Sequence, residues 1–249
     1  MHRFIPLALA ACVAFPTPAA ALDPADRPQI EKIVREYLLA NPEVLLEVQT
    51  ALQAKQEAEA KERATAALKA NRARIFDSKH QAVLGNPEGD VTIVEFFDYN
   101  CGFCQRALTD MNTLLTEDGN VRFVMKELPI LSAGSVEAAR ISTAIYRLHP
   151  DRYGEFHEKL LSLEGQKDGQ QAMRIVNELG LPAEPILAEA AKEDVVEAFR
   201  EANELATALG INGTPSYVVG DEILFGALGV DVLRQKVANM RACGAADCG

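Results

Sequence analysis

The chain has 249 residues, 48% hydrophobic and 24% charged, with 36 acidic against 25 basic side chains and a formal charge of −11. That balance excludes a polyanion such as nucleic acid as partner, because no basic cluster offsets it, and suits contact with neutral or basic chains. The length supports one well-packed domain with an appendage.

Residues 1–21 read as a secretion signal: Arg3 gives a positive start, Phe4 to Phe15 a short apolar run and Ala19-Ala20-Ala21 a small-residue cleavage site. The run is shorter than the roughly 20 residues that cross a bilayer. The mature chain is expected to begin near Leu22, with the periplasm as its destination. Leu9-Ala10-Ala11-Cys12 resembles a lipobox, which makes lipid anchoring at Cys12 the alternative address.

Residues 22–77 form the first expected unit. From Pro28 to about Asp77 only Asn41-Pro42 interrupts helix-forming sequence, and Ile30, Ile33, Val34, Tyr37, Leu38, Val44, Leu45, Val48 and Leu52 recur at three- and four-residue steps. This pattern predicts two short amphipathic helices. Lys55 to Arg74 is Ala, Glu, Lys and Arg with little apolar content, and predicts a helical or partly flexible linker. Two short helices cannot bury such a stripe between them, so residues 23–75 are expected to meet copies of themselves; docking on the downstream domain is the alternative.

Residues 78–249 are the second expected unit. After the turn Asn86 to Asp90, Val91 to Phe97 is β-branched and aromatic as a buried strand should be. Gly102 to Glu117 reads as a helix closed by Asp118-Gly119-Asn120, and Val121 to Leu128 returns to a strand, giving a βαβ unit. An insertion from about 135 to 209 reads as all helical, broken at His149-Pro150, Gly165 to Gly169 and Gly180 to Pro182. Strands at Ser216–Val219 and Glu222–Phe225 and a helix from Val230 to Met240 complete an α/β fold.

Without Cys12 the chain keeps Cys101, Cys104, Cys243 and Cys248, an even number suited to an oxidising compartment. Cys101-Gly102-Phe103-Cys104 lies at the strand-to-helix corner. There the helix N-terminus makes the Cys101 thiol more acidic and a nucleophile, and Cys104, one turn later, is placed to resolve a mixed disulfide. Zinc is the competing chemistry, but no second ligand pair stands at suitable spacing, so no metal and no cofactor are expected. His149 and His157 fall on polar helical stretches and read as solvated. For Cys243 and Cys248, a small structural disulfide loop is the first reading and an accessory redox or metal-binding pair the second.

Glu95 to Cys104, with Thr214-Pro215 ahead of a late strand, resembles the thioredoxin-fold DsbA-like disulfide oxidoreductases, and the helical extension is similar to that of the suppressor-of-copper-sensitivity branch, whose extensions oligomerise. The resemblance implies a thioredoxin fold with an all-helical insertion behind a helical N-terminal extension. It implies that Thr214-Pro215 is a cis-proline loop which, with Gly102 and Phe103, receives a substrate chain. It further implies that Glu95 is a buried acid taking the proton from Cys104, with Lys126 as a charge partner. Gly102-Phe103 and Thr214 look like those of the isomerases. The expected function is therefore a periplasmic disulfide isomerase or reductase acting on unfolded or misdisulfided secreted proteins, served by a membrane redox partner. An oxidase recycled by a membrane quinone partner, or a thiol-based copper- or zinc-binding protein, are the alternatives.

Overall fold

The computed structural model describes residues 24–248, so the signal-like residues 1–21, Cys12 included, lie outside the described residues. The chain divides into two compact units, one up to Gln56 and one from Glu57 on.

In the first unit a short 3-10 turn leads into α1 (Arg27–Ala40), with Pro28 in its first turn, where the missing N–H costs nothing. Asn41 ends the helix by donating both its backbone N–H and its side-chain amide to the Tyr37 carbonyl. α2 (Glu43–Ala70) follows as one 28-residue helix. The linker expected from Lys55 on is therefore a continuation of α2, since Ala, Glu, Lys and Arg are all strong helix formers. No residue of α1 is buried, and Ile33, Tyr37, Leu45 and Val48 are all more than half exposed.

The second unit begins inside α2, not near residue 78. Leu68 on α2 and Ile75 and Phe76 on α3 (Arg72–Phe76) are buried in the same cluster as Val94, Phe96 and Leu205. These side chains belong to the core, because fully burying a Leu, Ile or Phe stabilises the fold by about 1.5–3 kcal/mol.

The sheet has the order β1-β3-β2-β4-β5, from β1 (Ala82–Gly85), β2 (Val91–Phe97), β3 (Val121–Glu127), β4 (Ser216–Val219) and β5 (Glu222–Phe225). Only β2 and β3 run parallel, joined through α4 (Gly102–Glu117); the other pairs are antiparallel. β1 was not expected: four residues between polar Lys79 to Gln81 and the Asn86-Pro87 turn are too few to show alternation. The insertion comprises α5 (Ala133–Leu148), α6 (Pro150–Ser162), α7 (Gly169–Glu178), α8 (Ala183–Ala190) and α9 (Asp194–Leu209), with one break more than expected, at residues 191–193. α10 (Val230–Cys243) closes the fold.

Alternation along the strands decides which face each side chain meets. Ile93 and Phe97 of β2 and Phe123 and Met125 of β3 join a core cluster with α4, α5, α6 and α10 residues, whereas Val94, Phe96 and Val124 join the cluster formed with α3 and α9. Glu95 follows Ile93 and Phe97. Lys126 follows Val124, so the expected Glu95–Lys126 pairing does not form. Lys126 Nζ instead bonds Glu201 Oε1 at 3.1 Å and the Arg74 carbonyl at 2.5 Å.

Candidate active site

Cys101 is the N-cap of α4, with extended backbone (φ −84°, ψ 114°) that leaves the first helical N–H groups aimed towards its sulfur. The turn before it is set by Asp98. Its side chain accepts from the N–H groups of Asn100 at 2.8 Å, Ile130 at 2.9 Å and Leu131 at 3.0 Å, while its carbonyl accepts from the Cys101 N–H at 3.0 Å. One buried carboxylate thus fastens the loop ahead of Cys101 to the loop after β3.

Both Cys101 and Cys104 are free thiols, Cys101 with 7% of its surface exposed and Cys104 with none. A hydrogen bond from Cys104 lowers the Cys101 thiol most, burial opposes it, and Thr214 and the N–H groups of Cys104 and Phe103 add to the lowering, bringing it to about 5. Cys104 is pushed the other way, far above the usual thiol range, by burial, by its bond to Cys101 and by Glu95. The two thiols are therefore asymmetric: Cys101 is the acidic one, and Cys104, fully buried, holds its proton.

The Thr214–Pro215 peptide bond is cis, and Cys101 Sγ donates to the Thr214 carbonyl at 3.0 Å. Ser216 Oγ fixes the loop through the Gly213 carbonyl, and Gly226 N–H bonds the Pro215 carbonyl, joining the loop to the end of β5. Phe103 is 56% exposed with the Arg106 guanidinium 4.1 Å from its ring centre, and a side chain at Gly102 would meet nothing within 4 Å. The space over Gly102, next to Cys101, is open, with the exposed Phe103 ring following it in sequence.

Glu95 is buried in β2, opposite Met125 on β3 and Tyr217 on β4. Burial, then the nearby charges of Cys101 and Asp110, raise its carboxyl to about 8. Its charge raises the proton affinity of Cys104, and that of Cys101 raises its own, so the sequence-predicted Cys101, Cys104, Glu95, Thr214 and Pro215 converge on one spot.

Cys243 and Cys248 are elsewhere, closed as a disulfide behind α10. Asn239 bonds the Ala246 carbonyl and Asp221 accepts from the Ala246 N–H, so the looped tail is pinned to the β4–β5 turn. Among the described residues no three His, Cys, Asp or Glu side chains gather as a metal site.

Other parts of the site did not emerge from the sequence. His157, expected to be solvated, is 1% exposed and bonds Tyr99 Oη through Nδ1 at 3.2 Å, while Ser142 Oγ meets the same hydroxyl at 2.7 Å. Burial holds the imidazole at about 3, hence neutral. Asn100 holds the backbone of Lys167 in the insertion at 2.7 Å in both directions. The Asp98-x-Asn100 turn residues were the one sequence signal for this bracing.

Residues 92–238 match the family model described as the DSBA-like thioredoxin domain, and residues 26–59 match the Copper resistance protein ScsC N-terminal domain. The chain is similar to Disulfide bond formation protein D of Bacillus subtilis, 28% identical over 171 residues, which cover 64% of this chain and 76% of that protein. A thioredoxin-like oxidoreductase from Silicibacter pomeroyi superposes with a TM-score of 0.66 at 39% identity, covering 70% of this chain and 99% of the other. A linker-deletion mutant of ScsC from Proteus mirabilis superposes with a TM-score of 0.67 at 25% identity, covering 90% and 98%.

Proposed function

The chain belongs to the DsbA-like thioredoxin family of thiol:disulfide oxidoreductases, with an ScsC-like N-terminal region, and from that premise we propose that it reshuffles or reduces disulfides in secreted proteins of the periplasm. The observation that carries this reading is Cys101, a free thiol at the start of α4 bonded at 3.0 Å to the carbonyl before Pro215.

Cys101 attacks as thiolate: its sulfur bonds one sulfur of the substrate disulfide, and the other leaves as thiolate and takes a proton from water. In isomerisation a second substrate thiolate displaces Cys101 and the enzyme returns unchanged. In reduction Cys104 loses its proton and displaces the substrate sulfur, leaving Cys101–Cys104 oxidised and the substrate reduced. Glu95 suits the proton transfer. The Cys101 charge helps keep Glu95 protonated, and capping Cys101 removes that charge when a base is needed. The Thr214 backbone pairs with the substrate chain as an added strand, and Gly102 and Phe103 bound its entry.

Gly102-Phe103 and Thr214 support the reshuffling direction, and a membrane reductant then keeps the thiols reduced. An oxidase recycled by a membrane quinone partner is the second reading, favoured by the acidity of Cys101, because stabilising a reduced thiolate makes the disulfide more oxidising. Scrambled substrate refolded with substoichiometric reduced protein separates them. Acceleration beyond free glutathione supports isomerisation; fast oxidation of reduced substrate without reshuffling supports the oxidase.

The exposed stripe on α1 and α2 supports self-association through residues 23–75. Since Leu68 and Ile75 are core residues, deleting through 75 would damage the catalytic unit, so the test belongs in the full chain. Ile33→Asp with Leu45→Asp is expected to convert an oligomer to a monomer in light scattering. A monomeric wild type would refute the idea.

A further inference from the structure

Asn100 stands immediately before Cys101, and its side-chain amide reaches across to the helical insertion. The amide accepts from the Lys167 N–H and donates to the Lys167 carbonyl, both at 2.7 Å, and also donates to the buried Ser135 Oγ at 3.0 Å. One side chain thus pairs with one residue's backbone at both ends, as a neighbouring strand would. Asparagine suits this task because its amide carries an acceptor and a donor side by side. Alanine would take both bonds from a residue that has only 4% of its surface exposed, where lost hydrogen bonds are costly.

The connection between α6 and α7, to which Lys167 belongs, is held from two further directions. Gln105 Nε2, in the first turn of α4, donates to the Ser162 carbonyl at 3.2 Å. Gly134, at the start of α5, packs so closely that an added Cβ would come within 3.1 Å of the Lys167 carbonyl. Residues 162–167 therefore bracket the start of α4, tied to it at the residue before Cys101 and again at the turn after it. The local turn fixes the backbone alone, since Asp98 accepts from the N–H groups of Asn100 and Cys101. The Asn100 side chain is what joins that turn to the insertion.

We propose that Asn100 is a positioning residue for disulfide exchange, clasping the insertion so that Cys101 stays aimed at the Thr214 carbonyl and seated on the N-terminus of α4. The proposal rests on the reading of Cys101 as the attacking thiolate and names what holds it in place. Asn100 acts through Cys101: its side-chain bonds go to the Lys167 backbone and to serine hydroxyls of the insertion. If the clasp is lost, Cys101 drifts from the Thr214 carbonyl, 3.0 Å away, and from the N–H groups of Phe103 and Cys104 that make its thiol acidic.

The test compares the full-length protein with Asn100→Ala and Gly134→Ala, with near-ultraviolet dichroism confirming the native fold. Asn100→Ala should lower kcat for exchange on a peptide disulfide by about tenfold to a hundredfold at unchanged KM, as a misplacement near 1 Å does. It should raise the Cys101 thiol pKa by about one unit, read from ultraviolet thiolate absorbance. The glutathione equilibrium should move about tenfold towards the disulfide, and the Lys167 amide should lose hydrogen-exchange protection. Gly134→Ala leaves the active-site loop untouched and presses on the Lys167 carbonyl from the far side. It should shift the same readouts in the same direction by about threefold, and it decides the matter if Asn100→Ala does not fold. A folded Asn100→Ala with wild-type kcat, thiol titration and glutathione equilibrium overturns the assignment, whatever its stability. A wild-type Gly134→Ala overturns the route through the insertion. Exchange that survives Cys101→Ser instead removes the nucleophile reading on which the assignment stands.

Discussion

The two cysteine pairs sit at opposite ends of their helices. Cys101 begins α4, where unpaired N–H groups and the dipole favour negative charge; Cys243 ends α10, where unpaired carbonyls oppose it and Gly244 turns left-handed at φ 77° to close the helix. At the first position the thiols are free, one acidic and one deeply buried; at the second they are exposed and bonded to each other. Reactivity follows from what surrounds the sulfur, and sequence spacing alone does not distinguish a working pair from a clasp.

The sharpest way to break that contrast is to remove one sulfur at a time from the first pair. Cys101→Ser should abolish exchange, while Cys104→Ser should still attack and then accumulate mixed disulfides, visible on acid-quenched non-reducing gels. An active Cys101→Ser would assign the chemistry to the wrong pair.

A smaller effect is expected from Glu95→Gln, which should slow resolution by roughly a hundredfold, as loss of a general base does. The pH dependence has a definite sign. A carboxyl raised from 4.5 to about 8 leaves the fold unaffected below 4.5 and destabilises it progressively as pH rises from there to about 8, so the Gln variant should be the more stable protein at neutral and alkaline pH. The Cys101 thiol, lowered to about 5, works the other way: the extra stability of the reduced form is complete above the ordinary thiol range and is lost as pH falls through 5. Thermal melts of reduced and oxidised protein on either side of pH 5 should therefore converge on the acid side.

The smallest effect belongs to the second pair. Replacing Cys243 and Cys248 together by Ser reopens a loop with a sequence separation of 5 and should cost about 2 kcal/mol by loop entropy, with exchange activity unchanged. Denaturant melts and the refolding assay read the two halves of that statement. Lost exchange activity would show that the tail takes part in the chemistry.

These sites were unequally legible in the sequence. α4 spans the expected Gly102–Glu117, and β4 and β5 their expected residues, because caps and turns mark their ends locally. Lys126 and His157 were misread for a shared reason. Whether a polar side chain in a strand or helix faces water depends on what packs against it, and the partners, α9 for Lys126 and the β2–α4 loop for His157, are remote in sequence. The domain edge was placed too late because Leu68, Ile75 and Phe76 are few among charged neighbours, and only the folded sheet shows what they cover. Lys167 carried no local signal at all: its partner Asn100 lies 67 residues away.

The polar seam between loop and insertion bears on how far this protein can be rebuilt. Tyr99 meets Ser142 and His157, and Asn100 grips the Lys167 backbone, across the boundary between the sheet and α5 to α7. The insertion is consequently not an exchangeable cassette. A graft from a relative would leave a buried hydroxyl and a side-chain amide without their counterparts unless Ser142, His157 and the backbone path at Lys167 travel with it, so recombination of these helices within the family has its natural crossover points outside this seam.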